Sequence, residues 1–299
     1  MLLDQSLRHF DEDRLRSPAV AVRVEVETHR AEVPVHRHRQ GQLVLTLQGG
    51  VTCEVADALW VVPPGRAVWI PGAVPHSVRA TPNARMCYLF VQPPAAGLPV
   101  RCCTLSVSPL VRELVLDMAD QPAAYGPDSP PGRKAAVLLE ELARMPVEQL
   151  HLPLPEEPRL RRIARALADN PADRRTLAQW GDQVAMGERS LARLVQRETG
   201  LSFGRWRQQF HLIVAMRQLS SGHSVQRTAE ALGYGSVTAF IAMFRKAVGE
   251  SPARYFAAAA GGGRRLRRPP PPAAAPPRSA AAPARTSPPA ARRRSGAAG

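Results

Sequence analysis

Two stretches of one design follow each other late in the chain, and this repetition restricts the fold more than any other feature. Thr176 to Gly200 reads TLAQWGDQVAMGERSLARLVQRETG, and Ser224 to Phe256 reads SVQRTAEALGYGSVTAFIAMFRKAVGESPARYF. Each sets a short apolar-periodic helix, a tight turn and a second amphipathic helix in succession, a unit whose second helix can lie in a DNA major groove. One such hairpin has little weight, because any two short helices resemble it. Two in series, joined by a helix-length segment and set in basic sequence, are specific.

Charge divides the chain in the same way. The formal net charge is +15, with −2 over residues 1–156, +8 over 157–256 and +9 over 257–299. A near-neutral half followed by a basic half predicts a sensing or assembly domain joined to a polyanion-binding domain. No apolar run approaches the length needed to span a bilayer, and no charged-then-apolar leader opens the chain, so a cytoplasmic protein with no membrane partner is expected. Cys53, Cys87, Cys102 and Cys103 follow no Cys-x-x-Cys spacing and read as small reduced residues.

The patterning predicts an α+β multidomain chain. Residues 1–105 form its barrel part: Val20–Val26, Leu43–Leu47, Trp60–Val62, Ala67–Ile70 and Cys87–Val91 are short β-runs separated by Gly and Pro, as in a small barrel or sandwich. Within 106–150 the period changes to helical. Leu110, Leu114, Val115 and Met118 share one face of Ser108–Gln121, and Val137, Leu138 and Leu142 mark a second helix over Arg133–Arg144. This pair either flanks the barrel or mates with a second subunit, and homodimerisation is the expectation favoured. Pro146, Pro153, Pro155 and Pro158 make Val147–Pro158 a stiff connection, with 151–158 as the linker proper and 159–256 as the all-α basic domain. Residues 257–299, rich in Ala, Pro, Gly and Arg, are expected to be a disordered tail whose Arg264, Arg265, Arg267, Arg268 and Arg292–Arg294 add at most diffuse phosphate attraction. His29 reads as a surface residue.

In the first unit Leu177, Ala178 and Val184 are expected to face the core, and Met186-Gly187 to make the turn, with glycine supplying the unusual backbone conformation. Leu191, Leu194 and Val195 form the inward stripe of the next helix, leaving Arg189, Ser190, Arg193 and Gln196 outward. Arginine suits guanine O6 and N7 together, so Arg189 and Arg193 are candidates for base readout; the alternative is that they are solvated or pair with Glu188 and Glu198. In the second unit Val225, Ala229 and Leu232 point inward, Gly233-Tyr234-Gly235 turns, and Phe240, Phe244 and Val248 form the buried stripe. Its outward Val237, Thr238, Ile241 and Ala242 offer few hydrogen bonds, and Arg245 and Lys246, like Arg205 and Arg207, are phosphate candidates. Phe203–Ser220 reads as a rigid connecting helix with Phe203, Trp206, Phe210, Val214 and Leu219 inward. It would set the two readers about 34 Å apart, one helical turn of DNA.

The closing run LGYGSVTAFIAMFRKAVGESPARYF, with Gly-Tyr, Ser, two Phe four apart, a basic residue, Gly, Ser-Pro and Tyr, resembles the signature of AraC/XylS-type bacterial transcription regulators. The resemblance covers residues 157–256. It implies base contacts from Arg189, Ala192 and Arg193 in the first unit and from Val237, Thr238 and Ala242 in the second. The sequence departs from that pattern at Gly187, where a Ser cap is usual, and at Gly181, where Ala is usual; each is expected to soften the first unit by up to about 1 kcal/mol. Earlier, His36-Arg37-His38, Gln42, Gly49, Pro71 and His76 resemble the two motifs of the cupin barrel. In metal-binding cupins these supply three histidines and a carboxylate. Here His36, His38 and His76 match, but Gln42 stands in the carboxylate position and Ala80 where Asn is expected. The resemblance leaves three readings of this site: a divalent metal, a small organic effector, or structure alone. The leading reading is a transcription regulator that binds promoter or operator duplex, with a sensor barrel and, for an activator, RNA polymerase as partner. Its rival is a metal-dependent cupin dioxygenase or isomerase carrying a nucleic-acid module.

Overall fold

A computed structural model describes residues 15–26, 31–82, 84–93, 97–148 and 150–261. His29 and residues 262–299, with the tail arginines from Arg264 onward, lie outside the described residues; residues 257–261, expected to begin the disordered tail, instead finish a helix over Pro252–Gly261.

Nine strands open the fold: β1 (Ala19–Glu25), β2 (Ala31–His36), β3 (Gly41–Gln48), β4 (Val51–Val55), β5 (Ala58–Val62), β6 (Arg66–Ile70), β7 (His76–Ala80), β8 (Arg85–Val91) and β9 (Cys103–Ser106). Two helices follow, α1 (Pro109–Met118) and α2 (Pro130–Ala143), then two short strands, β10 (Val147–Glu148) and β11 (His151–Pro153). The strands make two antiparallel sheets, ordered β1-β8-β3-β6-β9-β10 and β11-β5-β4-β7-β2. They face each other as a jellyroll-like sandwich rather than closing into a barrel. Alternation sets the faces. Val44, Met86, Tyr88 and Phe90 of the first sheet meet Cys53, Trp60 and Val78 of the second in one core. Leu43, Leu45, Cys87 and Leu89 point the other way.

That outer face is where α1 and α2 pack, with Val111, Val115, Met118, Ala135, Leu138 and Leu142 buried. The helices therefore flank the sandwich. Val115, Met118, Leu138 and Leu142 take the inner positions expected of them, and two residues differ. Leu110 and Val137, assigned inward from spacing, are 53% and 47% exposed, while Val111 and Ala135 take the inner positions.

Val147–Glu148 and His151–Pro153 also differ from the expected linker. β10 pairs with β9, and β11 pairs with β5 through His151↔Trp60 and Pro153↔Ala58. Prolines concealed these strands, yet an edge strand tolerates proline because its outward N–H needs no partner.

The basic region is all helical: α3 (Pro158–Asp169), α4 (Leu177–Gln183), α5 (Glu188–Thr199), α6 (Phe203–Ser220), α7 (Val225–Ala231), α8 (Val237–Val248) and α9 (Pro252–Gly261). Side-chain oxygens of Thr176, Ser202, Ser224 and Ser236 cap α4, α6, α7 and α8, and Thr176 with Gln179 forms a capping box. Trp206, Phe210 and Val214 are buried along α6 as expected, but so are Leu212, Ile213, Ala215 and Met216. The helix is buried on every side over Leu212–Met216 because one side also packs on β5 and β11, where Val61, Leu150 and Leu152 join its core. Trp206 Nε1 donates to Pro153 O at 3.0 Å and Gln209 Nε2 to His151 O at 2.9 Å. Among the described residues no helix is long and apolar enough to cross a membrane.

Candidate nucleic-acid interface and histidine cluster

The first helical unit turns between α4 and α5, and three residues there differ from expectation. Ala178 is exposed, and the inward anchor is Trp180, against which the Arg175 guanidinium stacks 3.7 Å from the ring centroid. The positive φ of the turn, +50°, belongs to Ala185 rather than Gly187, which takes an extended conformation as the N-cap of α5 and offers no side-chain cap. Gly181 is held by close approach: a Cβ there would lie 2.4 Å from Met186 O, the carbonyl of the turn itself. In the second unit Gly233 carries a φ of +71°, as the Gly-Tyr-Gly turn predicts.

Leu191, Leu194 and Val195 anchor α5 inward, which turns Arg189 and Arg193 to solvent. Among the described residues neither forms an ion pair; Glu198 is engaged by Arg197 and by the Glu157 N–H instead. Ala192 is half-buried beside them. Phe240, Met243 and Phe244 anchor α8, leaving Thr238 and Ala242 exposed and Val237 half-buried. Arg205, Arg245 and Lys246 are exposed. Arg207 is half-buried, donates from Nη1 to Arg175 O at 3.1 Å and lies 5.5 Å from the Phe203 ring, so one edge of its guanidinium is already committed to the fold. Spacing alone missed two cations. Arg159 on α3 and Arg197 on α5 line, with Ser190 and Arg193, a surface cleft of about 400 Å³. Arg159 sits on a different helix, and only tertiary packing brings it there.

A second feature lies at one end of the sandwich. His36 on β2 pairs directly with His76 on β7, Gln42 lies on β3 opposite Phe90, and His38 occupies the loop between β2 and β3. The structure thus unites all four residues named from the cupin motifs. His38, Gln42 and His76 are buried, His36 is half-buried, and one ring nitrogen of each histidine lies within 4.8 Å of the others. Nδ1 of His36, His38 and His76 sits 2.9, 2.8 and 2.8 Å from the carbonyls of Pro34, Gln40 and Val74. Each Nδ1–H is therefore donated to backbone, and each Nε2 presents a lone pair inward. Burial pushes His76 down to about 4 against the pull of the Val74 carbonyl, and the neighbouring His36 and His38 add to the downward shift.

Three converging imidazoles suit a divalent ion, but the fourth group does not. Among the described residues no carboxylate or thiolate joins the cluster, and the Gln42 amide lies 2.8 and 3.0 Å from Nε2 of His38 and His76. Three neutral imidazoles can hold a zinc ion with a bound water, but here the Gln42 amide sits against two of the three donors, and no anionic ligand stands beside them among the described residues. These residues do not fit a resident metal.

Comparison with known proteins agrees with both halves. A helix-turn-helix domain model matches residues 180–258 and a cupin domain model matches residues 22–92. The HTH-type transcriptional regulator NimR of Escherichia coli (strain K12) is 46% identical over 252 residues, spanning 84% of this chain and 92% of that protein. The HTH-type transcriptional regulator RipA of Corynebacterium glutamicum is 28% identical over 119 residues, 40% of this chain and 36% of that one. Among solved structures, the DNA-binding domain of AdpA in complex with a target DNA is 28% identical, covering 34% of this chain and 93% of that chain with a TM-score of 0.32.

Proposed function

The chain belongs to the AraC/XylS-type transcriptional regulators, sequence-specific DNA-binding proteins rather than enzymes, and from that membership we propose how its parts divide the work. The helix α5 reads bases through Arg189, Ala192 and Arg193, and α8 reads through Val237, Thr238 and Ala242. Arg205, Arg207, Arg245 and Lys246 hold phosphates. The two helices enter successive major-groove segments of one duplex, so a single chain reads a directional site. The observation that carries this reading is the pair of exposed arginines four residues apart on α5, neither of which has an acidic partner among the described residues. Most discrimination belongs to that helix, because α8 presents mainly methyl groups to the groove. The sandwich senses a small organic effector and passes the signal through α6, which packs on β5 and β11. The outward Leu110 and Val137 on α1 and α2 mark the surface of a homodimer.

The test is fluorescence anisotropy with a promoter fragment recovered by genomic binding-site mapping, run beside random duplex at one salt concentration. Arg189→Ala and Arg193→Ala should each weaken the specific complex by about 1–3 kcal/mol, roughly 5- to 150-fold, and leave the random complex nearly unchanged. Equal losses on both duplexes would show that these side chains hold phosphates only.

A further inference from the structure

His38 and His76 each face two hydrogen-bond acceptors. His38 Nδ1 lies 2.8 Å from Gln40 O and its Nε2 2.8 Å from Gln42 Oε1; His76 Nδ1 lies 2.8 Å from Val74 O and its Nε2 3.0 Å from the same Oε1. A neutral imidazole has one N–H and can donate to only one of the two. The proton belongs on Nδ1, because a backbone carbonyl can only accept. That leaves two bare Nε2 lone pairs converging on an amide oxygen, which is repulsive in a buried site. Protonating both rings would supply the missing hydrogens only by setting two cations side by side in a buried site, ring centroids 5.2 Å apart, with no carboxylate in the cluster among the described residues.

Rotating the Gln42 amide by half a turn resolves both contacts together. Its NH2 group carries two hydrogens, and two lone pairs await them. We propose that the Gln42 NH2 group bridges His38 and His76 in the place a metal ion takes in metal-binding cupins, and that this one residue sets the sandwich's preference for no metal. The bridge ties β3 of the six-stranded sheet to β7 of the five-stranded sheet, with the β2–β3 loop held between them. An ion entering here must break both N–H···N bonds and gains no anionic ligand in exchange. This goes beyond the DNA-reading proposal and does not depend on it.

The experiment uses the full chain. Long-range 15N NMR of the histidine rings in the wild type should show His38 and His76 as Nδ1–H tautomers with Nε2 accepting hydrogen bonds. Calorimetric titration with Zn2+, Ni2+ or Mn2+ alone should give no stoichiometric binding to the wild type at micromolar concentrations. Gln42→Glu should bind one equivalent more than about 100-fold tighter, with a rise in melting temperature on metal addition that the wild type lacks. One equivalent bound by the wild type within tenfold of the Gln42→Glu affinity overturns the proposal. So do Nε2–H tautomers, which the wild-type spectrum reports even where the variant fails to fold.

Discussion

Ala185 occupies the left-handed region with φ +50°, where a Cβ meets the following carbonyl. Two residues on, Gly187 caps α5 in an extended conformation with open space where a Cβ would go. Conformational cost and residue type are thus misaligned, and substitutions should separate them. Ala185→Gly should stabilise the chain by about 0.5–1 kcal/mol through relief of strain, net of the extra flexibility of the unfolded state. Gly187→Ser should also stabilise, by about 0.5–1 kcal/mol, by adding a cap and stiffening the unfolded chain. Gly181→Ala, in contrast, should cost about 1–3 kcal/mol, since its methyl would press on Met186 O at 2.4 Å. Equilibrium unfolding in urea measures all three. From sequence, Gly181 and Gly187 looked like two equivalent soft spots. The structure makes one costly to replace and the other improvable, because close approach of backbone across a turn is invisible in local pattern.

The helix α6 is the element on which both halves depend. It carries the two helix-turn-helix units and packs on β5 and β11, and Leu212 to Met216 are all buried. Ile213→Ala should therefore cost about 2–5 kcal/mol, a core value rather than a surface one, read from the unfolding free energy. His211 on the same helix lies 3.2 Å by Nδ1 from the Tyr234 hydroxyl in the second turn. Burial lowers its pKa to about 4, and Arg207 and Arg174 push the same way against the Pro171 carbonyl. Its neutral form is thus the native one. As pH falls below about 6.5 the unfolded chain takes up the proton first, so stability should decline between pH 6.5 and 4 and level off below. The slope is at most about 1.4 kcal/mol per pH unit from this group. Urea midpoints at pH 7.5 and 5.0 should differ less in His211→Gln than in the wild type; an unchanged difference would place the proton elsewhere.

Across the whole molecule, charge and contact act together. The +8 block of residues 157–256 supplies the general attraction to polyanions. Arg245→Ala with Lys246→Ala should weaken binding to promoter and random duplex alike, and each should lower the slope of log K against log salt by about 1. A salt titration of the double variant checks this. The sandwich grips the basic region at a second place. Arg66 on β6 pairs through Nε with Glu148 on β10 at 2.9 and 3.0 Å and lies 5.0 Å from the ring of buried Tyr255 on α9. Arg66→Ala should thus raise protease sensitivity near residues 250–256 without changing the far-ultraviolet circular dichroism.

The sequence by itself determined the two helix-turn-helix units, their turn regions and the outward arginines of α5. These follow from short-range rules, helical period and turn residues, whereas the grouping of His36, His38, Gln42 and His76 was legible only through the resemblance to the cupin motifs. It also indicated five strands, those that hold three or more apolar residues in a row, such as ALWVV in β5. Strands β2, β4, β7 and β9 escaped because polar residues or proline interrupt their apolar ones; β2 contains Pro34, allowed at the sheet's edge. Only the tertiary structure decided that Val147–Glu148 and His151–Pro153 extend both sheets, that α1 and α2 turn Val111 and Ala135 rather than Leu110 and Val137 inward, and that Gln42 lies between two imidazoles. Those outcomes depend on partners 30 to 100 residues away, as with Gln42 and His76 or Glu148 and Arg66, whose approach no local period encodes.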